Sequence, residues 1–364
     1  MKILYDFQMF LKQKYGGISK YFCELLSNLP SEHSYQLSVL FADNQHLKDY
    51  KNLKKINVSL PKKEFRGKGR VKTQFYNINR LYSQYQISSN NYDILHPTYY
   101  DTYFLKNLRR PYVVTVHDLI EFKFKEQYRN DSLIPNMKEI ITKANRIISI
   151  SENTKKDLIE ILDIDPQKID VIYHGFNYRS TIKTTSNEFG RYILYVGYRG
   201  GYKNFSTLAN VFSKIIQNDE DLKLICVGQP FTKDESAHIK NLKINDRTIV
   251  IGANEKLLNE LYSNALCFVY PTKYEGFGMS ILEAFANNCP VCLSNTSSLP
   301  EVAGEAGAYF DPYDPDSIQN TIERVIYNKQ FATEMVQQGN KQLQNFSWKK
   351  CAEETMKTYE KTLS

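Results

Sequence analysis

Residues 270–285 read Tyr270-Pro-Thr-Lys-Tyr-Glu275-Gly-Phe-Gly278-Met-Ser-Ile-Leu-Glu283-Ala-Phe285. The run before and into this block, Cys267-Phe268-Val269-Tyr270, is apolar and short, which reads as a buried strand. Ile281, Leu282 and Phe285 repeat at helical spacing. The block is therefore strand, glycine-containing loop and helix. Glu275 falls on the loop at the carboxyl end of the strand, and Glu283 falls in the opening turns of the helix. In an open α/β sheet that end of the strands is where ligands bind. The amides around Gly276, Phe277, Gly278 and Met279 open a helix N-terminus suited to an anion, and the glycines let a ligand approach the backbone. The plainer reading is a strand–turn–helix unit with two solvated carboxylates.

Three further stretches have the same build. Tyr195-Val-Gly197-Tyr-Arg199-Gly-Gly-Tyr-Lys203-Asn204 ends a strand at Gly197 and places two cations in the turn before a helix. A guanidinium and an ammonium match the charge and shape of a diphosphate, so Arg199 and Lys203 are the diphosphate candidates. Tyr15-Gly16-Gly17-Ile18-Ser19-Lys20 opens a helix with paired glycines, another anion-binding turn. Val113-Val-Thr-Val-His117-Asp118 delivers a histidine to the carboxyl end of a buried strand. A lone histidine there also suits a core position. His174, near the end of the first half, reads as structural. Asp314-Pro-Asp316 resembles a metal-binding pair but reads as a turn into a helix, with Asp316 as N-cap. Lys62, Lys63, Arg66 and Lys68 belong to a basic segment, 61–72, with six cations in eleven residues around Phe65. It suits an anionic membrane surface or a diphosphate-lipid acceptor, or is simply a solvated charge run.

The chain has 364 residues, enough for two domains, with 42% hydrophobic and 24% charged residues. A net charge of +7 is mild for a nucleic-acid binder, and no nucleic-acid motif accompanies it. Neither a signal peptide nor a membrane span is visible, so a cytoplasmic protein is expected, with a peripheral place on the inner membrane face if the basic segment binds lipid. The six scattered cysteines suit reduced, buried thiols.

Short apolar runs alternate with helical segments throughout, which predicts parallel sheets with crossover helices in two doubly wound domains. Strands are expected at 2–5, 37–40, 94–96, 112–116, 147–150 and 171–173, then at 193–196, 223–227, 248–251, 267–270 and 291–294. Asn177–Glu188 is polar and rich in Ser and Thr, which reads as a linker. The expected division is 1–176, linker 177–190, 191–345, and a last segment 346–364.

The block at 270–285, with Asn288-Cys-Pro-Val291, Ser298-Leu-Pro-Glu-Val302 and Asp311-Pro312, resembles the signature of retaining family 4 glycosyltransferases of the GT-B fold. The resemblance runs from Gly16-Gly17 to Phe346-Ser-Trp348. It implies an α/β architecture of two Rossmann-like domains facing a central cleft, with the last helix crossing back onto the first domain. It implies transfer of a hexose from a nucleotide sugar, without metal or cofactor. Lys203-Asn204 follows the family's usual helix opening. Relatives commonly carry the arginine directly after the glycine, where this chain has Tyr198. The resemblance gives His117 a place near the transferring sugar and sets the Gly16-Gly17 loop against the donor phosphate. It lets Glu275 orient the donor sugar and Glu283 accept the ribose hydroxyls. The leaving phosphate takes the acceptor's proton, so no protein base is expected. The opening pattern is most similar to bacterial surface-polysaccharide mannosyltransferases. This points to GDP-mannose as donor, with UDP-sugars next, and to a glycan or lipid-linked acceptor. A non-catalytic sugar-nucleotide-binding subunit, a sugar-nucleotide epimerase and a phosphorylase are the alternatives. The Glu-Gly-Phe-Gly block argues against the epimerase, and no pyridoxal phosphate lysine motif supports the phosphorylase.

Overall fold

The computed structural model describes residues 1–49, 58–59, 68–127, 133–177 and 188–364. The chain divides into two compact units, Met1–Gly175 with Ser347–Ser364, and Phe176–Phe346. The last helix, Trp348–Leu363, thus belongs to the first unit. Most of the expected linker lies outside the described residues, as do Lys62, Lys63 and Arg66 of the basic segment. Lys68 opens a long helix, Lys68–Ser88.

In the first unit, β1 (Lys2–Tyr5), β2 (Ser34–Leu37) and β5 (Ile94–His96) pair in parallel in the order β2-β1-β5. The short strands β3 (Phe41–Ala42) and β4 (Val58–Ser59) pair separately. β6 (Val113–Val116), β7 (Arg146–Ser149) and β8 (Ile169–Val171) form a second parallel set. A parallel bridge between Leu95 and Tyr112 joins the two sets. The resulting order reverses at β1 and β5, which makes their carboxyl ends the switch point.

The second unit holds one six-stranded parallel sheet. It is built from β9 (Tyr192–Val196), β10 (Lys223–Val227), β11 (Thr248–Ile251), β12 (Cys267–Tyr270), β13 (Val291–Ser294) and β14 (Gly307–Phe310). The order is β11-β10-β9-β12-β13-β14, the doubly wound order with its reversal between β9 and β12. Ile193, Leu224, Cys226, Val269 and Cys292 pack with the helices Phe205–Ile215 and Pro315–Tyr327. Their neighbours Leu194, Ile225, Phe268 and Leu293 are equally buried. Both faces are therefore covered, which is why these strands read as unbroken apolar runs.

The sheet edges depart from expectation. β2 lies at 34–37 and not 37–40, because an edge strand does not need two apolar faces. Past Leu37 the chain turns away, and the Leu40 and Phe41 amides donate to Asn79 Oδ1, both at 2.9 Å. β8, at 169–171, also ends before the apolar signal does. β14 was not expected; its Gly307 and Ala308 carry little strand signal, and a Cβ on Gly307 would stand 2.6 Å from the Leu293 side chain. Asp314, not Asp316, caps the helix Pro315–Tyr327, accepting from the Asp316 amide at 2.9 Å. All six cysteines are buried and unbridged. Among the described residues no helix is long and apolar enough to cross a membrane.

Candidate functional site

At the switch point of the second unit, β9 ends in Gly197, whose φ of 117° disfavours any side chain. The turn continues through Gly201–Lys203 to Asn204, at φ 59°, which opens the helix Phe205–Ile215. Beside it, β12 runs into Pro271–Phe277. Gly278, at φ 101°, opens the helix Met279–Ala286. The two loops are tied together. The Lys273 amide donates to the Tyr202 carbonyl at 2.8 Å, and the Thr272 hydroxyl reaches the same carbonyl at 3.4 Å.

Across this tie Lys203 Nζ meets Glu275 Oε1 at 2.6 Å. The two side chains keep only 17% and 11% of their exposure. Glu275 is pinned from both sides of its peptide. Its amide donates to Ser297 Oγ and its carbonyl accepts from the Ser298 hydroxyl, each at 3.0 Å. Burial, and then the Glu275 charge, hold the Tyr270 phenol well above its ordinary pKa, so it stays protonated. Glu283 is half-buried on the helix that follows, and the Tyr262 hydroxyl donates to it at 3.3 Å. The structure thus brings Lys203 and Glu275 together, with Gly276, Phe277, Gly278 and Met279 leading to Glu283.

Arg199 is not brought to this pair. Its side chain, 4% exposed, turns to Glu235: Nε donates to Oε1 at 3.0 Å and Nη2 to Oε2 at 3.2 Å. Nη2 also donates to the Gln229 and Pro230 carbonyls, at 2.7 and 3.1 Å. Glu235 is itself the third residue of a capping box on the helix Lys233–Asn241. Burial pushes Glu235 up, but Arg199 and the Thr232 amide outweigh it and hold the carboxyl below its ordinary value. A guanidinium so engaged shapes its loop. Lys203 is then the cation of this turn that stands at the pair.

In the first unit, Gly17 begins the helix Gly17–Ser27 and Gly16 caps it. The Gln13 side chain lies across this turn: Oε1 accepts from the Ser19 amide at 3.2 Å, and a Cβ on Gly16 would stand 2.1 Å from it. His117 follows β6 and is 8% exposed, and its Nε2 has no hydrogen-bond partner among the described residues. Burial pushes its imidazole down to about 3. Tyr21 stands edge-on to it at 5.1 Å. Asp118 Oδ1 accepts from the Ile120 amide at 3.0 Å and holds the loop. His174 stacks on Tyr21 at 4.9 Å beside Trp348, a packing role.

Two features here carry no local sequence signal. His96, at the end of β5, is hydrogen-bonded through Nδ1 to the Tyr359 hydroxyl at 2.5 Å and through Nε2 to Thr115 at 3.0 Å. Asp6, after β1, is fully buried and accepts from the Thr98 hydroxyl, Gln8 Nε2 and the Thr98 amide at 2.6, 2.7 and 2.8 Å. Burial raises its pKa despite these bonds. Near this switch point lies a cavity of about 490 Å³, walled by Tyr76, Tyr99, Tyr100, Asp101 and Lys12 among others. The Lys12 ammonium sits 3.7 Å over the Tyr99 ring, and burial lowers its pKa against the pull of Glu121.

Residues 179–342 match the family described as glycosyl transferases group 1, and residues 15–179 match glycosyltransferase family 4. The chain belongs to the group 1 glycosyltransferases. It is similar to the O-antigen chain mannosyltransferase RfbU of Salmonella typhimurium, 28% identical over 60% of this chain and 62% of that one. It is also similar to an uncharacterized glycosyltransferase, MJ1607, of Methanocaldococcus jannaschii, 27% identical over 74% of this chain and 75% of that one. Among solved structures, a sucrose-phosphate synthase from Thermosynechococcus elongatus shares the fold: TM-score 0.77, 19% identity, 99% and 98% of the two chains. The two units are thus the Rossmann-like domains of a GT-B glycosyltransferase.

In such a glycosyltransferase the chemistry available at the pair is charge compensation. Lys203 has three N–H donors and Glu275 engages one of them. Glu275 keeps further lone pairs for hydroxyl donors.

Two outcomes follow. Lys203→Ala strands a buried carboxylate and costs about 3 kcal/mol, the low end for a buried pair broken on one side. The Lys203→Ala/Glu275→Ala double variant is more stable than that single variant, as denaturant unfolding of the three proteins would register. For His117, the imidazole is held near 3 in the fold against 6.5 when free. The unfolded chain therefore takes its proton first, so this contribution is whole above pH 6.5 and drains as pH falls towards 3. His117→Phe should flatten the fall of Tm across that window; an unchanged slope would remove His117 from the account.

Proposed function

We propose that the chain transfers mannose from GDP-mannose, with retention at the anomeric carbon, to a lipid-linked oligosaccharide of a bacterial surface polysaccharide. The observation that carries the reading is the buried Lys203–Glu275 pair at the sheet's switch point, followed by Glu283 on the next helix. The similarity to an O-antigen mannosyltransferase supports the choice of sugar.

The reaction breaks the bond between the anomeric carbon and the diphosphate oxygen. Negative charge grows on that oxygen and positive charge on the sugar ring. The free N–H groups of Lys203 and the amides opening the helix at Met279 neutralise the first, which is stabilisation placed where charge develops. Glu275 accepts from the sugar hydroxyls and fixes the ring. Glu283 accepts the ribose hydroxyls, as an acid does in dinucleotide sites. His117, in the first unit, keeps a neutral imidazole at pH 7 because burial disfavours its charged form. The acceptor's proton leaves with the diphosphate, so the step needs neither a metal nor a protein base. The tyrosine-walled cavity offers ring faces for an acceptor sugar and, in Lys12, a cation for its phosphate.

A thermal-shift series with GDP-mannose and with UDP-, ADP- and dTDP-sugars tests the donor site. A ligand of the folded state raises Tm, by about 2.7 kcal/mol of stabilisation at a hundred times its Kd. GDP-mannose should give the largest shift, and Glu283→Ala should abolish it. A larger shift with a UDP-sugar would change the donor, and no shift with any of the four would defeat the donor-site reading.

A further inference from the structure

The helix Lys68–Ser88 turns a mixed face inward: Val71, Phe75, Tyr76 and Ile87 pack on the core, and between them Asn79 and Ser83 are fully buried. Asn79 also donates to the Phe41 carbonyl at 2.8 Å, and Ser83 is hydrogen-bonded to Ser38 and Tyr103 at 2.8 and 2.6 Å. Its outer face carries Ile78, Leu81 and Tyr85, exposed by 41%, 67% and 69%. At the turn of an α-helix these three lie within about 60° of one another, opposite Asn79 and Ser83. The described residues expose nine large apolar side chains, and three of them are on this one stripe. Scattered exposed apolar residues need no explanation, but a clustered stripe marks an interaction surface.

The charge on the helix selects the occupant. Residues 68–88 contain no Asp or Glu, while Arg70, Lys72 and Arg80 are all exposed. Arg70 continues the apolar stripe towards the helix start, and Arg80 lies about 100° round from Leu81. An apolar stripe on a helix whose only charged side chains are cations is the pattern of a helix lying in the plane of an anionic bilayer surface. We infer that the helix Lys68–Ser88 seats the first unit on an anionic membrane surface, with Ile78, Leu81 and Tyr85 entering the headgroup region and the arginines meeting lipid phosphates. The same helix sends Lys72, Thr73 and Tyr76 to the wall of the 490 Å³ cavity. A lipid-linked acceptor held in that surface would therefore have its sugar beside the cavity. This last point alone rests on the proposed acceptor; the membrane contact does not.

Co-sedimentation of the full chain with vesicles tests it, without any sugar nucleotide present. Vesicles of phosphatidylcholine with phosphatidylglycerol should bind the wild type about ten-fold more strongly than phosphatidylcholine alone, and salt should erase most of that difference. Ile78→Ser/Leu81→Ser/Tyr85→Ser should weaken binding about ten-fold, as should Arg70→Gln/Arg80→Gln, whose exposed positions leave folding untouched. Wild type that ignores anionic vesicles, or charge-pair variants that bind as well as wild type, would overturn the inference. So would a concentration-dependent dimer, seen by analytical ultracentrifugation, that the apolar triple variant abolishes while vesicle binding stays intact; the stripe would then belong to a second copy of the chain. Failure here leaves the donor-site reading standing, because no step of the assay uses it.

Discussion

The ion pair between Lys203 and Glu275 is the constraint around which the second unit is arranged. Two charges at 2.6 Å, largely removed from water, lose hydration that only close geometry can offset. Everything near the pair serves that geometry. Gly197 and Gly278 adopt positive φ so that the two loops can turn at the strand ends. Tyr202 receives the Lys273 amide, which fixes one loop against the other. Ser297 and Ser298 clamp the Glu275 peptide. The pair is therefore held by the protein's own contacts, and the proposed transfer draws on such preorganised charge.

The first unit solves a different problem, that of holding imidazoles neutral in a core. His96 and His117 both sit near 3 because burial penalises the charged ring, and His96 also feels His117. His96 spends both nitrogens on Tyr359 and Thr115, and Tyr359 meets the Tyr5 hydroxyl at 2.9 Å. The helix Trp348–Leu363 is thereby bonded into the sheet by a buried polar chain as well as by packing. Gly175 shows how close that packing is: a Cβ there would stand 2.0 Å from the Trp348 amide nitrogen.

Much of this was legible in the residues, for reasons that differ from place to place. The block at 270–285 could be read because its strand, glycine turn and helix are consecutive, and each announces itself by local chemistry. The central strands were readable because both faces are covered. The edge strand β2 was misplaced because Ser34-Tyr35-Gln36 needs only one apolar side. Arg199 reads as a diphosphate candidate because a guanidinium in a glycine turn matches a diphosphate's charge and shape; its partner Glu235 lies 36 residues on, and nothing local points to it. The His96–Tyr359 bond spans 263 residues, beyond any motif. The helix Lys68–Ser88 was missed as a surface because apolar residues are assumed to face inward, and here Asn79 and Ser83 do.

The most direct measurement is a transfer assay on the purified chain, with labelled GDP-mannose and a lipid-linked oligosaccharide, in wild type and Glu275→Gln. The account predicts an α-mannosyl product from wild type, read by the anomeric NMR signal. It predicts loss of transfer by at least about 100-fold in Glu275→Gln, with GDP still bound through Lys203 and Glu283. Transfer at the wild-type rate by Glu275→Gln, or a product of inverted configuration, would contradict it.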